Sequence, residues 1–127
     1  KYTISISHSH EIAALVVSNK KKIGLDVQFK ESKILKIQNK FLNKFEKINI
    51  GEDPNIHILT MLWTSKESIY KAISLKGISF SKNIKIDKFV ENDKTGIGYY
   101  INGTEKIKFN LRFFYIYEYV ICYAFEV

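Results

Sequence analysis

The chain has 127 residues, of which 46% are hydrophobic and 26% charged, and this composition indicates one globular domain rather than a disordered segment. Its single cysteine, Cys122, excludes an internal disulfide framework and a zinc site built from several thiolates. The uninterrupted apolar stretches, residues 12–17 and 120–125, are much shorter than the roughly 20 residues that cross a bilayer.

The formal net charge is +7, from 20 basic and 13 acidic side chains. This charge predicts an anionic partner, such as nucleic acid, a membrane, a phosphorylated small molecule or an acidic protein. The chain begins with Lys1 and shows no signal peptide. We therefore expect a processed or truncated chain that acts in the cytoplasm.

Alternating apolar and polar side chains predict a first strand over residues 2–9, with Tyr2, Ile4 and Ile6 on one face. Residues 11–18 are mostly apolar and fit either a helical turn or a further strand, and a charged turn follows them. Residues 23–28 predict another short strand. Gly24 in that strand indicates a bulge or a point where another backbone comes close.

Apolar residues spaced three and four apart predict one helix over residues 32–48 and a second over residues 56–75, ended by Gly77. From residue 78 the pattern changes to strands, with a two-residue hairpin turn predicted at Asn102-Gly103. No internal repeat is visible. This order predicts a single α+β domain over residues 1–127, in which an antiparallel sheet packs with two main helices.

Glu67 and Lys71 lie four residues apart and so share one face of the second helix. One interpretation is a surface ion pair. The other is a carboxylate that holds a divalent cation, beside a lysine that holds a phosphate. Asp26 likewise fits either a turn aspartate or a second oxygen ligand for Mg²⁺, an ion usually held by one or two carboxylates together with phosphate and water.

His8 and His10 would face the same side if the first strand extends that far. Because no third ligand of a suitable type lies nearby in the sequence, a structural or phosphate-binding role is favoured over a metal site. Cys122 is interpreted as an inert core residue. The aromatic run from Phe113 to Tyr123 is interpreted as sheet core rather than as a base-stacking platform.

Three motifs in this order resemble the 4′-phosphopantetheinyl transferase superfamily. The family pattern is Gly-x-Asp, then Trp/Phe-Ser/Thr/Cys-x-Lys-Glu-Ala/Ser-x-x-Lys. Here it is Gly24-Leu25-Asp26 and then Trp-Thr-Ser-Lys-Glu-Ser-Ile-Tyr-Lys at residues 63–71. Residues 4–10 resemble the Ser-x-Ser-His-Ser segment that precedes Gly-x-Asp in the larger, surfactin-synthetase-activating type. The chain is similar to one lobe of that fold, the C-terminal lobe.

The resemblance implies a holo-[acyl-carrier-protein] synthase-type transferase. Such an enzyme moves 4′-phosphopantetheine from coenzyme A, its co-substrate, to a serine of an apo acyl or peptidyl carrier protein, with Mg²⁺ as cofactor. No membrane and no nucleic acid takes part. The alternative is a non-catalytic basic module that binds a carrier protein or nucleic acid.

By position in the motifs, the resemblance implies that Asp26 and Glu67 bind the metal and that Lys71 binds the pyrophosphate. Glu67, or a water that it orients, would take the serine proton. Contacts to coenzyme A are implied for three further residues, Ser7, His8 and Lys66.

Gln28 departs from the family pattern, because many larger-type members carry a second acid there. We expect a neutral oxygen donor and a weaker, water-completed metal site. Larger-type members have two similar lobes, so an N-terminal lobe or a homo-oligomer would be needed to complete the cleft. The lysines within residues 32–48 fit a docking surface for an acidic carrier and, equally, a solvated face.

Overall fold

The computed structural model describes residues 1–127 and contains two antiparallel sheets and four helices. The fold is α+β with antiparallel pairing throughout, as the order of the predicted elements indicated. In chain order the elements are β1 Thr3–Ser9, β2 Ile12–Ser18, β3 Ile23–Phe29, α1 Ile34–Phe41, α2 Lys44–Ile50, α3 Ile56–Ile73, α4 Phe80–Asn83, β4 Ile84–Ile86, β5 Thr95–Asn102, β6 Glu105–Ile116 and β7 Tyr119–Glu126. None of these helices combines the length and the apolar character needed to cross a membrane.

The five-stranded sheet, in the order β3-β7-β6-β5-β4, carries the main core on one face. Alternate residues of each strand point to this face, and α3 packs across it. Cys122 lies here fully buried, as predicted, and burial raises the pKa of its thiol to about 12. It is therefore a core residue and not a reactive thiol at neutral pH.

Gly24 allows β3 and α3 to touch backbone to backbone. A Cβ atom at Gly24 would lie 2.0 Å from the carbonyl oxygen of Ser68 and 2.6 Å from the backbone nitrogen of Ala72. No side chain larger than hydrogen fits between these groups, so the predicted close approach is confirmed. The contact fixes the height of α3 above β3, the strand that carries Asp26.

The β1–β2 hairpin forms a separate sheet that packs over the β3–β7 end of the opposite face. Its strand alternation was predicted, but the polar side of β1 is the one that faces inward. The hydroxyls of Ser5 and Ser7 accept hydrogen bonds from the backbone N–H groups of Leu25 and Val27, at 3.0 and 3.1 Å. Serine side chains thus satisfy the edge of β3, which has no strand neighbour on that side.

The apolar side of the hairpin is exposed. Ile4, Ile6, Leu15 and Val17 retain between 51% and 62% of their accessible surface. Residues 12–18 form a strand, so the second of the two interpretations left open by the sequence is confirmed.

The single helix predicted over residues 32–48 is wrong, because the chain forms α1 and α2 with a break at Leu42 and Asn43. Leu42 is extended and buried, and the Asn43 side chain accepts the N–H of Glu46, whose carboxylate accepts the N–H of Asn43 in return. This reciprocal capping starts a new helix. It places Glu46 on the inward side of α2, buried to 1% exposure.

Two turn predictions are shifted. α3 ends with Ser74 in the left-handed conformation, three residues before Gly77. The hairpin between β5 and β6 pairs Asn102 with Glu105, so the two turn residues are Gly103 and Thr104. Gly103, at φ 62°, is the first turn residue and supplies the left-handed conformation needed there.

Two hairpins of the chain are built alike, although no repeat is visible in the sequence. β1–β2 and β6–β7 are each joined by two residues, of which the first has positive φ, 51° at His10 and 50° at Tyr117. Counted from these turns, four exposed residues of β1–β2 correspond to four buried core residues of β6–β7. The pairs are Ile4 with Leu111, Ile6 with Phe113, Leu15 with Cys122 and Val17 with Ala124.

The β3–α3 contact at Gly24 predicts a large loss of stability when a single methyl group is added there. Gly24→Ala should lower the free energy of unfolding by about 3 kcal/mol, because β3 and α3 must separate to admit the methyl group. Gly103→Ala is the control, since a Cβ there meets nothing within 4 Å and adds only the strain of the left-handed conformation at φ 62°, about 1 kcal/mol. Urea denaturation measures both, and equal losses would contradict the close contact.

Candidate active site

Asp26 lies in the middle of β3 and is buried, with 4% of its surface exposed. One carboxylate oxygen, Oδ1, accepts hydrogen bonds from the Ser7 hydroxyl at 3.4 Å and from Lys71 Nζ at 3.2 Å. The other, Oδ2, accepts a hydrogen bond from Gln28 Nε2 at 2.8 Å. Burial raises the pKa of Asp26, and the contacts with Gln28 and Lys71 oppose that rise.

Glu67 and Lys71 meet Asp26 from α3. Lys71 Nζ donates to the Leu25 carbonyl at 2.9 Å as well as to Asp26, so its side chain spans the β3–α3 boundary. Burial raises the pKa of Glu67 to about 7, and the nearby Asp26 carboxylate adds to the rise while Lys71 opposes it. Lys71 pairs with Asp26 on β3 and not with Glu67, which lies one helical turn away. The interpretation of Glu67 and Lys71 as a surface ion pair is therefore wrong.

Glu67 also forms part of the wall of a shallow groove of about 390 Å³. Its walls are mainly apolar and aromatic, and the Trp63 and Tyr70 rings each lie 5.3 Å from the ring of Phe80. Glu67 is therefore a partly buried carboxylate between a polar cluster and an apolar groove. The groove is lined by Lys40, Trp63, Glu67, Tyr70, Ile78 and Phe80.

The donor set of this cluster fits a magnesium ion that is completed by other ligands. Asp26 and Glu67 supply carboxylate oxygens, the type that Mg²⁺ prefers, and one or two carboxylates suffice when phosphate and water fill the remaining positions. No group of three or more histidine, cysteine or acidic side chains is arranged to hold a metal by itself. Gln28 Nε2 donates a hydrogen bond to Asp26, a candidate ligand, and a metal contact of the Gln28 amide oxygen stays a prediction.

The structure does not bring Lys66 to this cluster. Lys66 has 0% exposure, and its ammonium group donates to the carbonyls of Phe41, Phe80 and Ile84 at 2.7 to 2.8 Å. It also pairs with the Glu46 carboxylate at 2.7 Å. Burial lowers the pKa of Lys66 and Glu46 opposes that shift. The predicted contact of Lys66 with coenzyme A does not fit this geometry.

Glu46 is the structural residue that sequence reasoning missed. Its Oε2 atom accepts the backbone N–H of Ile86 at 2.8 Å, so one carboxylate joins α2, α3 and β4. The spacing of Asn43 and Glu46 was the available signal, because an asparagine three residues before a glutamate is typical of a helix start.

The residues predicted on the first strand are divided between its two faces. Ser7 is buried and bonded to Asp26 and Val27, whereas His8 is exposed on the apolar side of the hairpin. β1 ends at Ser9, and His10 in the turn stacks on Phe29 with ring centroids 4.5 Å apart. The condition for a shared histidine face is therefore not met.

Comparison with known proteins agrees with the motif. A family model described as the 4′-phosphopantetheinyl transferase superfamily matches residues 22–124, which include Asp26, Glu67 and Lys71 but not the β1–β2 hairpin. No curated protein matches the chain in a sequence search.

The buried Lys66–Glu46 ion pair predicts a large loss of stability when one partner is replaced and a partial recovery when both are replaced. Lys66→Met leaves the Glu46 carboxylate buried without its cation and should lower the free energy of unfolding by about 3–5 kcal/mol. Combining Lys66→Met with Glu46→Gln should recover part of that loss, because the uncompensated charge is then removed. Urea denaturation of the two single variants and the double variant measures the coupling, and additive losses would contradict it.

Proposed function

Because the chain belongs to the 4′-phosphopantetheinyl transferase superfamily, we propose that it transfers phosphopantetheine from coenzyme A to a serine of an acyl or peptidyl carrier protein. The observation that carries the proposal is the meeting of Asp26, Glu67 and Lys71 at the β3–α3 contact. Two carboxylates beside a lysine suit a reaction at a pyrophosphate that is bound together with Mg²⁺.

In the proposed reaction the serine oxygen forms a bond to the phosphorus of the pantetheine phosphate. The bond from that phosphorus to the bridging oxygen breaks, and 3′,5′-ADP leaves. Asp26 and Glu67 would hold Mg²⁺, which supplies positive charge to the pyrophosphate and offsets the charge that develops on the leaving group. Lys71 would add a hydrogen-bonding cation on the same phosphates.

Glu67 is the candidate proton acceptor for the serine hydroxyl, directly or through a water that it orients. Without a metal, burial and Asp26 raise the pKa of the Glu67 carboxyl to about 7, so it can take up a proton near neutral pH. A carrier protein seated on the apolar groove beside it would keep water away from the reacting serine. Exposed His8 stays a candidate contact for a coenzyme A phosphate.

A second unit of similar fold would cover the exposed side of the β1–β2 hairpin. Four apolar residues of that hairpin are exposed, whereas the corresponding residues of β6–β7 are buried in the core together with residues of α3. We propose that a helix of a preceding lobe covers them, or that the same apolar face of a second copy of this chain does. The order of the motifs, with Ser7-His8 before Asp26, supports the larger, surfactin-synthetase-activating type.

The carrier protein would dock beside the groove. The lysines of α1, α2 and the residues around them are exposed and can attract an acidic helix, which raises the rate of encounter. Lys40 belongs to this set and also lines the groove at Glu67. The set consists of Lys33, Lys36, Lys40, Lys44 and Lys47.

Transfer itself is tested by the mass of the carrier. With coenzyme A, Mg²⁺ and an apo carrier, the mass should rise by that of phosphopantetheine. Glu67→Gln should slow transfer by at least about 100-fold, while carrier binding persists. Glu52→Gln, an exposed loop change, is the control. If the mass does not rise with this chain, nor with a longer protein that carries the covering unit, the proposal is contradicted. Unchanged transfer by Glu67→Gln would contradict its role.

The covering unit is tested by association. If a second copy covers the hairpin, light scattering should show a concentration-dependent dimer that Ile6→Glu abolishes. Val90→Glu is the matched control, because Val90 and Ile6 are both 62% exposed but Val90 lies outside the hairpin. A monomer at every concentration would exclude a second copy as the covering unit. Self-association that survives Ile6→Glu would contradict this use of the hairpin.

A further inference from the structure

Lys71 occupies a particular place in the candidate site: its ammonium group already neutralises the carboxylate assigned to the metal. Nζ lies 3.2 Å from Asp26 Oδ1 and 2.9 Å from the Leu25 carbonyl oxygen. Resting on the proposed function, we infer that Lys71 is an internal cation which competes with the divalent metal for Asp26 and is released when a phosphate binds.

The neighbours of Asp26 leave Lys71 as its only cationic partner. Ser7 and Gln28 are neutral donors, and Glu67 carries charge of the same sign. The Asp26 side chain is 5% exposed, so solvent does little to stabilise its charge. In the absence of a metal, the ammonium group of Lys71 therefore stabilises a carboxylate that burial otherwise disfavours.

A divalent cation that binds the Asp26 carboxylate would weaken the ion pair between Asp26 and Lys71. The two cations would then share the Asp26 carboxylate, and their mutual repulsion in a partly buried site would weaken the binding of both. Lys71 can move away more readily than Asp26, because its side chain is 32% exposed and lies at the boundary of the fold. The metal alone should therefore bind weakly for as long as Lys71 stays on Asp26.

An anionic phosphate gives the ammonium group an alternative partner. Two of its three donors are committed to Asp26 and Leu25, so a phosphate can first contact the third and then draw the group away. The Asp26 carboxylate would then be available to the metal. Coenzyme A and the metal should thus strengthen each other's binding by the same factor, since coupling free energies are reciprocal.

Loss of the Lys71 ammonium group should strengthen metal binding, which is an unusual result for a lysine assigned to phosphate binding. Lys71→Met should raise the affinity for Mn²⁺ alone by roughly tenfold, because the competing charge is gone. A lysine that only binds phosphate would leave that affinity unchanged. Lys76→Met removes the same charge from the exposed segment after α3 and should change Mn²⁺ affinity by less than about twofold.

The experiment titrates Mn²⁺ into the wild-type chain and the variants by electron paramagnetic resonance, first without and then with coenzyme A. Circular dichroism confirms folding. Coenzyme A should raise Mn²⁺ affinity more in wild type than in Lys71→Met. Equal or weaker Mn²⁺ binding by Lys71→Met overturns the inference alone, if Asp26→Asn still abolishes binding. Binding that survives Asp26→Asn, or no binding by any variant, overturns the site assignment and the inference together.

Discussion

The buried ammonium group of Lys66 is the interaction on which the helical layer depends. Its acceptors are the Phe41 carbonyl at the end of α1, the Glu46 carboxylate on α2, and the carbonyls of Phe80 and Ile84 in α4 and β4. A charge in the core is costly unless all its hydrogens are bonded, and these acceptors meet that condition. Short elements with little core of their own are thereby fixed to α3.

The same turn of α3 provides both structure and chemistry because consecutive residues of a helix point in different directions. Lys66 points into the layer of short helices, Ser68 donates to the Cys122 carbonyl of the sheet, and Glu67 between them reaches the side of Asp26. The Gly24 contact sets the distance from β3, so the helix is fixed on two sides at the position of the candidate carboxylate Glu67. The backbone beneath the candidate site is thereby held in place, and the response to a ligand is left to side chains such as Lys71.

The sequence was most informative where a pattern is local. The strand alternation, the second helix, the close approach at Gly24 and the burial of Cys122 followed from periodicity and residue size. It misled where the outcome depends on a distant partner. Periodicity alone does not show that the helix breaks at Leu42 and Asn43 and so places Glu46 against Lys66, or that the apolar side of β1 faces away from the sheet.

Two lysines five residues apart on α3 show why motif positions alone do not assign roles. Both Lys66 and Lys71 match the family pattern, and both bind carboxylates and carbonyls. Lys66 has 0% exposure and a complete set of acceptors, so releasing it would leave a buried carboxylate without a cation. Lys71 is one-third exposed, with a donor to spare. Because exchange of partners requires access to solvent and a low cost of release, only Lys71 is suited to respond to a ligand.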